Sequence, residues 1–156
     1  MRNEDVAFIS GFLRAFALAN ASVNYGPDFW LSVVPINGDQ IESVTAYHEH
    51  TRLQYEKIYK QFDLRPAMRP LEEWKTKLPL LIKKWFFEGQ SCLRFEDDQI
   101  SKKNWIVEQL ETKIRESLTG EIRLWELTIF FSENEADDWL IEDSDGLYHL
   151  HLGWSD

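Results

Sequence analysis

The stretch from Asp143 to Trp154 constrains the fold more than any other. After the acidic turn Asp143-Ser144-Asp145-Gly146, the residues Tyr148, Leu150, Leu152 and Trp154 alternate with His149 and His151. A period of two is that of a strand, whose successive side chains point to opposite faces. The four apolar residues therefore share one face and both histidines the other. Asp-Gly supplies the positive φ that a tight hairpin needs, so Trp139 to Trp154 reads as a hairpin. A strand over Ile122 to Phe131 precedes it, in which Trp125, Leu127, Ile129 and Phe131 alternate with Leu124, Glu126, Thr128 and Phe130. Ser132 to Asp138 reads as the acidic connection between them.

Before this sheet the pattern turns helical. Asn3 reads as a cap with Glu4 and Asp5 in the first turn, followed by the stripe Val6, Ile9, Leu13, Phe16 and Ala17. Phe29 to Ile36 is a short apolar piece that Pro35 restricts to a sheet edge or to its own end. Asp39 caps a helix through Phe62, with the stripe Ile41, Val44, Tyr47, Thr51, Tyr55, Ile58 and Phe62, closed at Leu64-Arg65-Pro66. Pro70 suits the first turn of a third helix carrying Leu71, Trp74, Leu78, Leu81, Ile82 and Trp85, with Gly89 past its end and Pro79 kinking or dividing it near Lys77. Leu93 to Glu96 reads as a brief strand. Asp98 or Ser101 caps a last helix on Ile100, Val107, Leu110, Ile114 and Leu118, which Gly120 stops. The sum is one α+β domain over residues 1–156, its N-terminal helices packed on a small C-terminal antiparallel sheet. Seven Trp and ten Phe supply ample apolar area for its core.

Met1-Arg2 followed by the apolar run to Ala19 imitates a secretory signal. However, Glu4 and Asp5 stand where a signal carries positive charge, and Arg14 interrupts the run. No apolar stretch approaches the roughly 20 residues that span a bilayer. The lone cysteine, Cys92, cannot form an internal disulfide and reads as a small buried hydrophobe. Together these features point to a soluble protein of a reducing, cytoplasmic compartment.

The net charge of −10 is unevenly placed: residues 124–156 hold nine acids and no Lys or Arg, whereas residues 52–123 hold fifteen bases against twelve acids. Such a field repels nucleic acid and anionic membrane and speeds encounter with a basic partner. It is densest from Glu133 to Asp145, seven acids in thirteen residues around Trp139. A solvated loop accounts for that run. So does a recognition surface, in which carboxylates orient a basic partner and Trp139, with Tyr148 or Trp154, anchors it.

Catalytic motifs are missing from the sequence: there is no Gly-x-Gly-x-x-Gly, no Walker-type loop, no Gly-x-Ser-x-Gly and no Cys-x-x-Cys. Glu96-Asp97-Asp98 with Lys102 and Lys103 has the residue types of a Mg²⁺-dependent nuclease, but the acids directly precede a helix, where capping and dipole compensation explain them. All four histidines fall in two His-x-His pairs. His149 and His151 share a strand face and can both ligate one ion, whereas His48 and His50 point about 200° apart on a helix. The metal alternative is thus a small metal-dependent enzyme using His149, His151 and a carboxylate such as Glu126, with one histidine of the first pair. The preferred reading assigns no catalytic residue, no cofactor and no metal.

In size, acidity, aromatic content and lack of a catalytic set, the chain resembles bacterial toxin-immunity proteins, the small cytoplasmic inhibitors that accompany contact-dependent or other polymorphic toxins. The resemblance implies one cognate basic toxin, often a nuclease, occluded sterically and electrostatically without any chemistry by this chain. On that reading Glu135, Asp137, Asp138, Glu142, Asp143 and Asp145 face the partner and Trp139 anchors it. A DNA mimic, whose acids imitate phosphates, is a further alternative.

Overall fold

A computed structural model describes residues 1–21, 26–53, 67–88, 99–128 and 136–155. Its elements run α1 (Asn3–Asn20), β1 (Gly26–Val34), α2 (Gln40–Leu53), β2 (Ala67–Pro70), α3 (Trp74–Phe87), α4 (Ile100–Ser117), β3 (Arg123–Thr128), β4 (Ala136–Asp143) and β5 (Gly146–Ser155). The strands form one antiparallel sheet in the order β1-β5-β4-β3-β2, so the fold is α+β as read. Two of its strands come from the N-terminal half. β1 is the short apolar piece before Pro35, and it lies at an edge, where Pro27 and Pro35 are tolerated. β2 was not foreseen: Pro70 ends this strand at the other edge and does not open a helix.

The hairpin of β4 and β5 occupies the middle of the sheet and turns at Ser144 and Asp145, as expected. It does so without a left-handed glycine, since Gly38 and Gly120 are the glycines with positive φ among the described residues. The Asp143 carboxylate holds the turn in its place. Its Oδ1 accepts the N–H groups of Asp145 (2.8 Å) and Gly146 (3.0 Å), an Asx arrangement that closes the chain on itself. The acidic connection ends earlier than the sequence suggests, because β4 already begins at Ala136 and takes in Asp137 and Asp138.

Both faces of the sheet are covered. On one, Phe29, Leu31, Ile141, Tyr148, Leu150 and Leu152 meet the inner stripes of α1, α3 and α4, including Ile9, Leu13, Leu78, Ile82, Phe86 and Ile114. Phe86 stacks between Phe16 (ring centroids 3.9 Å) and Phe29 (5.5 Å), tying α1, α3 and β1 into one aromatic column. On the other face, Val34, Leu127, Leu140 and Leu147 form a smaller core with Val44 and Tyr47 of α2. A sheet covered on both sides explains the run of buried residues Asp138 to Ile141, which do not alternate with exposed ones.

Helix ends depart from the sequence reading in detail. Asp39 does cap α2: its Oδ1 accepts the Glu42 N–H (2.9 Å) while Glu42 Oε2 accepts the Asp39 N–H (3.0 Å), a reciprocal capping box. Arg2, not Asn3, occupies the cap position of α1, and Gln99, not Ser101, that of α4. Ile41 and Ile100 are exposed rather than buried. Pro79 lies inside α3, which continues through it undivided. The expected features at Tyr55 to Pro66, Gly89 to Asp98 and Ile129 to Glu135 lie outside the described residues.

Candidate functional site

At the β4–β5 turn the chain builds an acidic recess of about 170 Å³, walled by Asp39 and Ser43 on one side and by Glu142, Asp145 and Leu147 on the other. The first wall is the start of α2, fixed by the capping box and by the Asn37 N–H donating to Ser43 Oγ at 2.8 Å. The second is the hairpin turn set by Asp143. Glu142 accepts from Gln40 Nε2 at 3.2 Å, which ties the walls together. Asp39 spends its charge on the first turn of α2 and Asp145 pairs with the Met1 amine, so Glu142, whose hydrogen bond comes from the neutral Gln40 amide, carries most of the attraction for a cation. Ile36, which lines the recess, is 73% exposed, and Ile41 on α2 is 45% exposed.

The remaining predicted interface residues are spent inside the molecule. Trp139 is buried in the main core and cannot serve as an exposed anchor. Asp143 is buried; besides holding the turn, its Oδ2 accepts the Thr119 N–H (3.1 Å) and a bond from the Met1 amine. Burial would raise the Asp143 carboxyl, but the amine and the backbone N–H groups outweigh it and hold it below the usual carboxylate range. Asp145 also accepts from the Met1 amine, at 2.9 Å. Asp137 accepts from Lys84 Nζ (2.6 Å) and Trp85 Nε1 (2.7 Å), locking β4 to α3. Tyr148 and Trp154, the supplementary anchors, are a core residue and one packed against the core. Glu135 lies outside the described residues.

Asp138 leaves the predicted surface altogether. Register places it opposite His151, and on the same face His149 lies one pleat away. Its Oδ1 lies 2.7 Å from His149 Nε2 and 2.8 Å from His151 Nδ1. Burial alone would raise this carboxyl, but the two imidazole hydrogen bonds overcome that and hold it far below the ordinary range. An ionised carboxylate accepts only, so each ring donates from the nitrogen that faces it. Trp30 of β1 stacks on His151 (4.9 Å, 17°) and meets His149 edge-on (4.6 Å, 84°). Tyr47 of α2 meets His149 edge-on as well, and its hydroxyl shares a 2.8 Å hydrogen bond with Ser32.

His149 is fully buried, and His151 is partly buried, its side chain 17% exposed. Glu126 is not their carboxylate. It pairs with Trp139, which pairs with Leu150, and that row belongs to the opposite face of the sheet. The side chains of His48 and His50 lie outside the described residues. Sequence reasoning missed Asp138 because its membership in a strand depends on where β4 begins, and its neighbours depend on the β4–β5 register. It missed Trp30 because only the β1–β5 register sets it beside His151.

Fold and site together define an α+β protein with an acidic surface recess and a separate buried Asp–His–His cluster. Known families, curated proteins and solved structures give no match to the chain. Among the described residues no helix is long and apolar enough to cross a membrane.

Proposed function

We propose that this chain is an acidic protein-binding inhibitor of the toxin-immunity kind, which takes an Arg or Lys side chain of a basic partner into the recess at the β4–β5 turn. The observation that carries this reading is the convergence of Glu142 and Asp145 with Asp39, from distant parts of the chain, beside the exposed Ile36. Interface hot spots combine a desolvated charged contact with apolar anchors, and this is the pairing the recess offers. The net charge of −10 adds long-range attraction and raises the rate of encounter with a basic protein. Inhibition is by occlusion, with no chemical step on this chain. The interface is accordingly narrower than the sequence implies: it keeps Glu142, beside an Asp145 already paired with the Met1 amine, and replaces Trp139 by Ile36 as the apolar contact.

Selection of a random displayed peptide library on the immobilised protein tests the reading. Enriched peptides are expected to carry Arg or Lys next to an apolar residue and to bind more weakly as salt rises. Glu142→Lys and Ile36→Asp should each weaken them by about tenfold or more, with circular dichroism unchanged, in line with about 1.4 kcal/mol or more at a hot spot. Peptides that bind both variants as they bind the parent, with the same salt dependence, would remove the recess from recognition.

A further inference from the structure

We propose that Asp138, His149 and His151 form a binding site for a divalent transition-metal ion of the zinc class, independent of the acidic recess. One ligand atom from each of the three residues lies within 4.8 Å of the other two. In a tetrahedral site with bonds of about 2.0–2.1 Å, ligand atoms stand about 3.3–3.4 Å apart. The two nitrogen–oxygen separations of 2.7 and 2.8 Å are each about half an ångström short of that spacing, so the ligands part by that much to admit the ion. An ion at the centre takes the place of the two ring protons that now point at Asp138: a neutral ring presents its facing nitrogen by carrying its proton on the other one, and the ion's charge compensates the carboxylate. Two imidazoles and one carboxylate favour Zn²⁺, Co²⁺, Ni²⁺ or Cu²⁺ over Mg²⁺ or Ca²⁺, which prefer all-oxygen sets.

The surroundings are built around the rings. Trp30 contacts both imidazoles and limits their rotation, as an outer layer of a metal site does. Gly153, directly along β5, leaves the room His151 occupies: a Cβ there would stand 2.8 Å from His151 Nε2 and 3.0 Å from the Ala136 Cβ. All three ligands come from the central β4–β5 pair, the part of the sheet with neighbours on both sides, so their spacing is fixed by strand register rather than by a loop.

The test uses untagged protein, stripped with a chelator and then titrated with Zn²⁺ and with Co²⁺. One ion bound per chain is expected, with visible Co²⁺ absorption bands of a low-coordinate site, a rise in melting temperature and no comparable response to Mg²⁺. His151→Ala and Asp138→Asn should each weaken Zn²⁺ binding by at least ~100-fold, more than loss of an outer-layer contact costs, while Glu142→Gln should bind as the parent does. Because the variants lose buried hydrogen bonds, the parent is also followed by ¹⁵N NMR of the histidine rings. Zn²⁺ should shift Nε2 of His149 and Nδ1 of His151 together at one equivalent. No ion retained at micromolar free zinc, unchanged affinity in folded His151→Ala, or ring nitrogens that do not move would each overturn the proposal.

Discussion

Asp138 stands opposite His151 across the β4–β5 pair, yet the same carboxylate oxygen that meets His151 at 2.8 Å also reaches His149 at 2.7 Å, two residues back along the strand. One buried anion thus gathers both histidines of the strand face opposite Tyr148, Leu150 and Leu152. Removing it strands two ring N–H groups, that of His149 in a buried layer beside Trp30 and Tyr47. Asp138→Ala is expected to cost about 3 kcal/mol, the usual penalty for breaking a buried polar pair by deleting one partner. Urea unfolding of metal-free protein measures it, and a loss below about 1 kcal/mol would mean the histidines find other partners.

The acid limb of stability should reveal a second buried carboxylate. Asp5 accepts from Lys113 Nζ (2.6 Å) and Arg2 Nε (3.0 Å), and these bonds hold its carboxyl at about 2. Unfolded, an Asp titrates near 3.9, so the folded protein binds fewer protons here and gains stability above that pH. The gain is complete above about pH 4–5 and is lost as pH falls toward 2. The stability difference between the parent and Asp5→Asn should therefore shrink steadily across that window. A difference that stays constant from pH 5 to pH 2 would contradict the ion pairing.

Two tryptophans should differ sharply in their response to substitution. Trp139 sits in the main core, whereas Trp105 on α4 is 60% exposed. Trp139→Ala is expected to cost about 3–5 kcal/mol through lost burial and the cavity left behind. Trp105→Ala should stay within about 0.5 kcal/mol, as surface changes usually do. Denaturant midpoints of the two variants at unchanged m-value decide it.

Gly153 tests whether the His151 ring is held where the structure puts it. A methyl group at this position meets both His151 Nε2 and Ala136 within 3.0 Å, and neither neighbour can withdraw without breaking the Asp138 contact or the β4–β5 pairing. Gly153→Ala should destabilise by about 1–3 kcal/mol, the cost of overpacking a filled interior. It should also shift the His151 ring resonances in NMR, and a variant as stable as the parent with unmoved resonances would place the ring elsewhere.

The strand periodicity of Tyr148 to Trp154, the helical stripes of α1, α3 and α4 and the Asp39 cap were legible from residue order alone. Each is a local pattern, set by where side chains point within one element. The α+β class followed from the succession of those patterns. By contrast, the membership of β2 in the sheet, the burial of Trp139 and Asp143 and the opposed positions of Glu126 and His149 follow from pairing between strands far apart in sequence. Extension of β4 back from Trp139 to Ala136 brings Asp138 out of the expected loop and into the pairing with β5, whose register makes it a buried partner of two histidines. Charge obeys the same division. The sequence by itself determined that the C-terminal region is acidic, while only the tertiary structure decided which carboxylates meet a cation, an imidazole or a backbone N–H inside the protein and which are left to form a recess at its surface.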